Sequence, residues 1–355
     1  MILHTTNFLT SDNKDKLLIS PIAHQCTWEY YYRNYHNALC YLCMIGNHKK
    51  YLTNYRFMGF MYLFRHTVEL LLKYNLDNNG YNIPITHSLK QLRDEFDGNI
   101  LPDGFSDFID QIDVDEDGSC YKYYMDKDSQ QPYFKGERLE VLSILSLYSS
   151  FISNSHFTIL PFCEGFNIDD KILKWEFTFH TAECRGDGIV RTHFDETCFT
   201  LISGFIADEI QMSDCYLPVL FLMRHAMELA IKTNTDNLYS TKTSAQKRAL
   251  RNEHSLCKLM NIYKSFLDEV QIPPNLTELK EQLNYYKPIY EDLNNNMHQL
   301  DVNSIYFRYP FDKDGNALRL PLVNDVIFNM FESYTKADPY ITFAVEVFHE
   351  CGINV

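Results

Sequence analysis

Long apolar runs are missing from this sequence: no stretch of its 355 residues approaches the ~20 uninterrupted apolar positions that a membrane-spanning helix needs. The opening residues, MILHTTNFLTSDNKDK, lack the basic start and apolar core of a signal peptide. Positive charge is scarce, with 32 Lys and Arg against 47 Asp and Glu and a formal net charge of −15. Broad attraction to nucleic-acid phosphates is therefore excluded as a driving force, although a local basic groove near Lys242, Lys247, Arg248 and Arg251 stays open. Cysteine pairs are also wanting. The ten cysteines are scattered, and Cys40 and Cys43, the one close pair, have no second pair to complete a zinc site. They read as reduced thiols filling a core. Walker loop, dinucleotide fingerprint and nucleophile elbow are all absent. These absences predict a soluble, cytoplasmic protein without metal or cofactor.

What is present is repetition. Met58 to Lys73, MGFMYLFRHTVELLLK, returns as Cys215 to Lys232, CYLPVLFLMRHAMELAIK. Arg65, His66, Glu69 and Lys73 match Arg224, His225, Glu228 and Lys232 without a gap. His87-Ser88-Leu89 then matches His254-Ser255-Leu256 after a longer loop. A third block aligns Asp115, Lys122, Tyr123, Asp126, Lys127 and Asp128 with Asp301, Arg308, Tyr309, Asp312, Lys313 and Asp314 at one constant offset. Three blocks in one order indicate an internal duplication.

Periodicity reads as mostly helical. Trp28, Tyr31, Tyr32, Tyr35, Leu39 and Leu42 recur at helical spacing over 27–44. Further helices are expected at about 51–76, from Leu89 to about Phe96, 105–112 and 137–152. In the second half they fall at about 196–212, 215–233, from Leu256 to about Glu269, 276–297 and 320–336, where Pro339 is expected to stop the chain before a further segment at 340–350. Tyr121 to Met125 reads as extended. The alternation from Trp175 to Phe179 predicts a strand, in a connector that forms a small hairpin. The expected organisation is a lead-in at 1–25, a first repeat at 26–154, a connector at 155–194 and a second repeat at 195–355.

Arg65, Glu69 and Lys73, like Arg224, Glu228 and Lys232, lie on one helix stripe. Each helix is otherwise apolar nearly all round, the mark of a central helix. A charged stripe there must face a groove or a partnered polar site, because unpaired burial is costly; a structural polar network and a ligand-facing groove both satisfy that condition. His66 and His225 sit beside the stripe. His87 and His254 each open a helix, as a cap or hydrogen-bond partner of the Glu, or as a catalytic group. Asp113-Val-Asp115-Glu-Asp117-Gly118 copies the front half of a calcium loop, but Tyr124 occupies the position where a bidentate Glu is required. An acidic turn is the better reading.

HAMELAIK followed by HSLCKLM resembles the core of HEPN domains, in which an A-x-E-x-x-x-K helix precedes a His-x-Leu helix start. Phe307-Arg308-Tyr309-Pro310, with Asp312 and Gly315, looks like an element of a HEPN-like subgroup. The resemblance implies a mostly α fold of two tandem HEPN-like helical bundles forming an internal pseudo-dimer, with a minor β element in the connector. It implies RNA or a nucleotide as ligand, a protein partner in non-catalytic members, and homo-oligomers, since HEPN domains commonly dimerise. Many are metal-independent ribonucleases of toxin and antiviral defence systems, in which a His moves the 2′-hydroxyl proton and an Arg stabilises the phosphorane. The implied catalytic set is Arg224, His225, Glu228, His254 and Arg308, with Arg65, His66, Glu69, Lys73, His87, Lys232, Tyr309 and Asp312 as binding residues. Catalytic members carry an Arg four to six residues before the His; here Arg248 and His254 alone have that spacing, and Arg33 and His36 are too close. A non-catalytic HEPN-like module binding a nucleotide or a protein therefore stands beside the ribonuclease.

Overall fold

The computed structural model describes residues 11–17, 26–48, 56–97, 100–162, 177–238, 244–300, 304–318 and 326–353. Lys242, the Trp175 end of the expected strand, Asp301 to Asn303 and the Leu320 start of the closing helix lie outside them. The chain is mostly helical. A short helix α1 (Ser11–Lys14) precedes α2 (Trp28–His48), α3 (Phe57–Asn78), α4 (Leu89–Asp94), α5 (Phe105–Ile112) and α6 (Leu142–Ser150). The second half supplies α7 (Asp187–Ile206), α8 (Met212–Leu238), α9 (Ser244–Asn252), α10 (Leu256–Glu269), α11 (Thr277–Leu300) and α12 (Val326–Glu350). Among the described residues no helix is long and apolar enough to cross a membrane.

The centre is made by α2, α3, α7 and α8. Helix α2 lies on α3 and α7 on α8, and the pairs cross-pack through α2 on α8 and α3 on α7. Every residue of α3 from Phe57 to Lys73 is buried, which is why its sequence is apolar on all sides. Helix α2 buries Tyr31, Tyr32, Tyr35 and Leu39 and exposes Arg33 and Asn37. The Thr27 hydroxyl accepts from the Tyr30 N–H and starts the helix. Cys43, Cys198 and Cys215 are buried in this core. Outside it, α4 packs on α3 and α5 on α4, while α10 and α12 cover α8 and α11 packs on both of them.

Several boundaries differ from the sequence expectation. Strand β1 (Arg138–Glu140) pairs antiparallel with β2 (Thr178–His180), Leu139 opposite Phe179. The connector strand thus joins a segment before α6 rather than a neighbour within 155–194, because Phe179 stacks on Phe57 of α3 at 3.9 Å. Helix α6 accordingly begins at Leu142, not at 137. Tyr121 to Met125 is a turn ending in a single bridge from Met125 to Pro132. Helix α7 starts at Asp187, nine residues before the expected start. Helix α8 breaks at Cys215 (φ −154°, ψ 27°). Pro218 therefore falls in the first turn after the break, where its missing N–H has no intrahelical partner to lose. Helix α12 runs through Pro339 to Glu350. Ala337, Tyr340, Ile341 and Ala344 are buried on both sides of that proline, so packing on α8 and α11 outweighs the local stop signal.

The crossing of α3 and α7 requires Gly59. A Cβ there would lie 2.5 Å from the Thr197 Oγ1 and 3.0 Å from the His193 carbonyl. Thr197 has little freedom to yield, because its hydroxyl donates to the His193 carbonyl at 2.7 Å. Gly59→Ala gains about 1 kcal/mol of helix propensity, but overpacking of a tight crossing costs about 1–3 kcal/mol. We expect a lower urea midpoint in the variant; an unchanged or raised midpoint would refute the close approach.

Candidate functional site

Two polar clusters are built on the central helices. In the first, Arg65, His66, Glu69 and Lys73 are all 5% exposed or less. Glu69 Oε1 accepts from Lys73 Nζ at 2.7 Å and from Tyr309 Oη at 2.9 Å, and lies 3.0 Å from His87 Nδ1. His87 is placed by the start of α4, where the Ser88 hydroxyl accepts from the Gln91 N–H. Arg65 Nη2 reaches the His87 carbonyl at 2.9 Å, Asp113 Oδ1 at 2.8 Å and the Asp115 carbonyl at 3.2 Å. His66 donates through Nε2 to the Arg308 carbonyl at 3.2 Å.

The second cluster makes the same contacts with exchanged partners. Glu228 Oε1 accepts from Lys232 Nζ at 2.7 Å and from Tyr123 Oη at 3.1 Å, and lies 2.9 Å from His254 Nδ1. Ser255 caps α10 as Ser88 caps α4. Arg224 Nη2 reaches the His254 carbonyl at 2.8 Å, and His225 donates to the Lys122 carbonyl at 2.9 Å. Tyr309, from the second half, therefore completes the first cluster, and Tyr123, from the first half, completes the second.

The loops that carry the two tyrosines have one local design. The N–H groups of Lys122 and Tyr123 both turn back to the Ser119 carbonyl, and those of Arg308 and Tyr309 to the Ile305 carbonyl. Asp126 and Asp312 then close the following turn, each accepting two backbone N–H groups. Asp312 is thus a turn former, its carboxyl lowered by the Asn316 side chain and these N–H donors. Between the loops Tyr62 of α3 stacks on Phe221 of α8 at 4.5 Å. His66 packs edge-on against Tyr309, and His225 against Tyr123, both at 5.2 Å and 73°.

In the first cluster a turn closes over the arginine. Gly118 (φ +67°) passes so close to Arg65 that a Cβ would sit 2.4 Å from Nη1. The acidic turn read from the sequence is therefore a clamp on Arg65, with Asp115 Oδ2 accepting from the Ser119 and Cys120 N–H groups. Arg224 bonds Glu228 Oε2 at 3.1 Å. Among the described residues, no three His, Cys, Asp or Glu side chains gather as a metal site.

Burial alone would raise the two glutamates. Lys73 and His87 at Glu69, and Lys232 and His254 at Glu228, outweigh it and hold both carboxyls well below the usual range. Burial lowers His66 to about 4 and His225 to about 3 despite the neighbouring carboxylates, so both rings are neutral donors to backbone carbonyls. Burial, then the adjacent glutamates, pushes Tyr309 and Tyr123 well above the phenol range, keeping their hydroxyls protonated. Loss of water and the nearby Arg308 charge bring Lys122 down to about 8.

Of the residues singled out in the sequence, Arg224, His225, Glu228 and Lys232 lie under packed side chains, as do Arg65, His66, Glu69 and Lys73. His87 and His254 do not: their side chains are 42% and 52% exposed. Arg308, half-buried, donates through Nε to the Ser304 carbonyl and stacks over Tyr309 at 5.2 Å. It stands with Tyr309, Asp312 and His87 on a groove of about 730 Å³ that Trp28 and Phe311 also line. The second-half residues Arg308, Tyr309 and Asp312 are thus grouped with His87 of the first half. Sequence reasoning did not single out Tyr123 or Asp113 as site residues. Tyr123 was marked by its alignment with Tyr309; nothing in the sequence marked Asp113 as the Arg65 partner.

The neutral buried imidazoles have a stability consequence. His66, His225 and His193 have folded values near 4, 3 and 4, below the ordinary 6.5, so the unfolded chain takes up protons first as pH falls. Stability is expected to be lost from about pH 6.5 downward, by ~1.4 kcal/mol per pH unit for each fully differing group. The depressed glutamates add to the loss below about 4.5. Denaturant unfolding at a series of pH values checks this, and a flat profile between 6.5 and 4.5 contradicts it.

Compared with protein-family models, characterised proteins and solved structures, the chain matches none, so a reading of the site rests on its own geometry and chemistry.

Proposed function

We propose that the chain is an RNA- or nucleotide-directed protein of the HEPN type, built as two tandem bundles facing each other as an internal pseudo-dimer, and that it acts as a metal-independent ribonuclease. One observation carries this reading. Each cluster buries its Arg, Glu and Lys but leaves one imidazole, His87 or His254, half in solvent with Nδ1 held by a buried carboxylate. With Nδ1 occupied, the exposed edge of the ring carries Nε2, the atom suited to take the 2′-hydroxyl proton. The 2′-oxygen would then attack phosphorus and expel the 5′-oxygen, which takes a proton as it leaves. The groove beside His87 adds Arg308 for phosphate charge and Phe311 for base stacking. Lys73 and Lys313 line the same groove together with Asp77, Asp312 and Asp314, so its formal charges are mixed.

A second reading, a non-catalytic module for a nucleotide or protein partner, has its own support. The guanidiniums of Arg65 and Arg224 are committed to carbonyls and carboxylates inside the fold. Neither can be the phosphate ligand without rearrangement.

Cleavage of a mixed RNA pool in EDTA separates the two. Under the ribonuclease reading the wild type cleaves, and His87→Ala with His254→Ala, shown to be folded, loses about 10²–10⁴-fold of the rate. A folded wild type that leaves the pool intact but retards it on a gel points to the binding module. Cleavage that survives in the double variant sinks the assignment to these histidines.

A further inference from the structure

We propose that Tyr309 and Tyr123 are positioning residues, each holding from the opposite half of the chain the exposed histidine of one cluster, His87 or His254, as an Nδ1–H tautomer with a bare Nε2. The inference rests on the reading of those histidines as the acting groups, but its geometry stands independently of any reaction.

Three polar atoms form a closed triangle in the first cluster. Tyr309 Oη is 2.9 Å from Glu69 Oε1 and 2.9 Å from His87 Nδ1, and that nitrogen is 3.0 Å from the same carboxylate oxygen. The anionic oxygen can only accept. The phenol has one proton, and the carboxylate takes it. The hydroxyl oxygen is then an acceptor facing Nδ1, and so is Glu69. All partners are satisfied only if Nδ1 carries its proton, shared between the two oxygens. The other tautomer would point a lone pair at a carboxylate from 3.0 Å and would draw the phenol proton away from Glu69. The second cluster closes the same way, with Tyr123 Oη 3.1 Å from Glu228 Oε1 and 3.3 Å from His254 Nδ1.

Tyr309 also lies against the His87 ring, with centroids 5.5 Å apart at 29°, and Tyr123 lies against His254 at 6.1 Å and 52°. Each tyrosine is held by a turn in its own half, at Ser119 or Ile305, and reaches the cluster of the other half. The resulting wiring is crossed: a change at Tyr309 acts on His87, and a change at Tyr123 acts on His254.

The crossing makes the test specific. Long-range proton–nitrogen NMR of the histidine rings, on the full chain above the imidazole titration, reads the tautomer of each ring. In the wild type both His87 and His254 are expected as Nδ1–H, the reverse of the tautomer free imidazole side chains favour. Tyr309→Phe keeps ring and volume and removes the hydroxyl. It is expected to move the His87 tautomer ratio toward Nε2–H by roughly threefold or more, the scale of one lost hydrogen bond, and to leave His254 as it was. Tyr123→Phe is expected to do the converse. A merely structural tyrosine would lower the unfolding midpoint without moving either ratio. Nε2–H tautomers in the wild type, or ratios unmoved in both variants, or the same response of both histidines to either variant, would overturn the proposal. Failure of RNA cleavage with the crossed pattern intact would fall on the ribonuclease reading alone, whereas cleavage without that pattern would fall on the positioning role alone.

Discussion

The architecture turns on two buried carboxylates. Glu69 and Glu228 are 2% and 1% exposed, in the middle of helices that are apolar on every other side. A carboxylate withdrawn from water costs several kcal/mol unless paired and hydrogen-bonded. No single element supplies enough partners. The helix itself offers a lysine one turn on and, at Glu228, an arginine one turn back; the next helix start offers a histidine, and a phenol comes from the other half of the chain. Removing one partner leaves a buried charge short of donors, a loss on the order of 3–5 kcal/mol. The glutamates thereby specify which loops must meet which helices, and this selects one packing of the halves over others.

That requirement explains the remaining geometry. For Tyr309 to reach Glu69 and Tyr123 to reach Glu228, α3 and α8 must present their polar stripes toward each other's loops, with Tyr62 and Phe221 in contact between them. The backbone carbonyls at Arg308 and Lys122 then fall opposite His66 and His225, which are neutral because they are buried and are therefore usable as plain donors. One chamber records the mutual dependence. Arg65, Glu69 and His87 of the first cluster share a space of about 10 Å³ with Lys122, whose own carbonyl serves the second, and with Arg308.

The central helices, both histidine helix starts and the helical class were legible in the sequence, because apolar periodicity and N-cap serines are local signals. The stripe of Arg, Glu and Lys was legible as a choice between groove and internal network, and only burial decides it. The crossing of Tyr123 and Tyr309 was not legible. Alignment pairs the two residues with each other, yet alignment of repeats does not say whether a loop returns to its own helix or to the facing one. The strand at Arg138–Glu140 and the passage of α12 through Pro339 were missed for a related reason. Both are decided by contacts with residues distant in the chain, Phe57 against Phe179 and α8 with α11 against α12, which override local preference.

The exposure pattern limits what these clusters can do chemically. Arg65, Lys73, Arg224 and Lys232 are committed to partners inside the fold, so their charge is used to hold a carboxylate. What reaches the surface is one edge of one imidazole per cluster, backed by that carboxylate. A ring so backed is oriented, with Nδ1 turned to the carboxylate. The buried network is then more than support for a helix bundle. By fixing the charge behind each ring and bringing the phenol from the opposite half, it makes the state of each surface histidine a property of the whole chain.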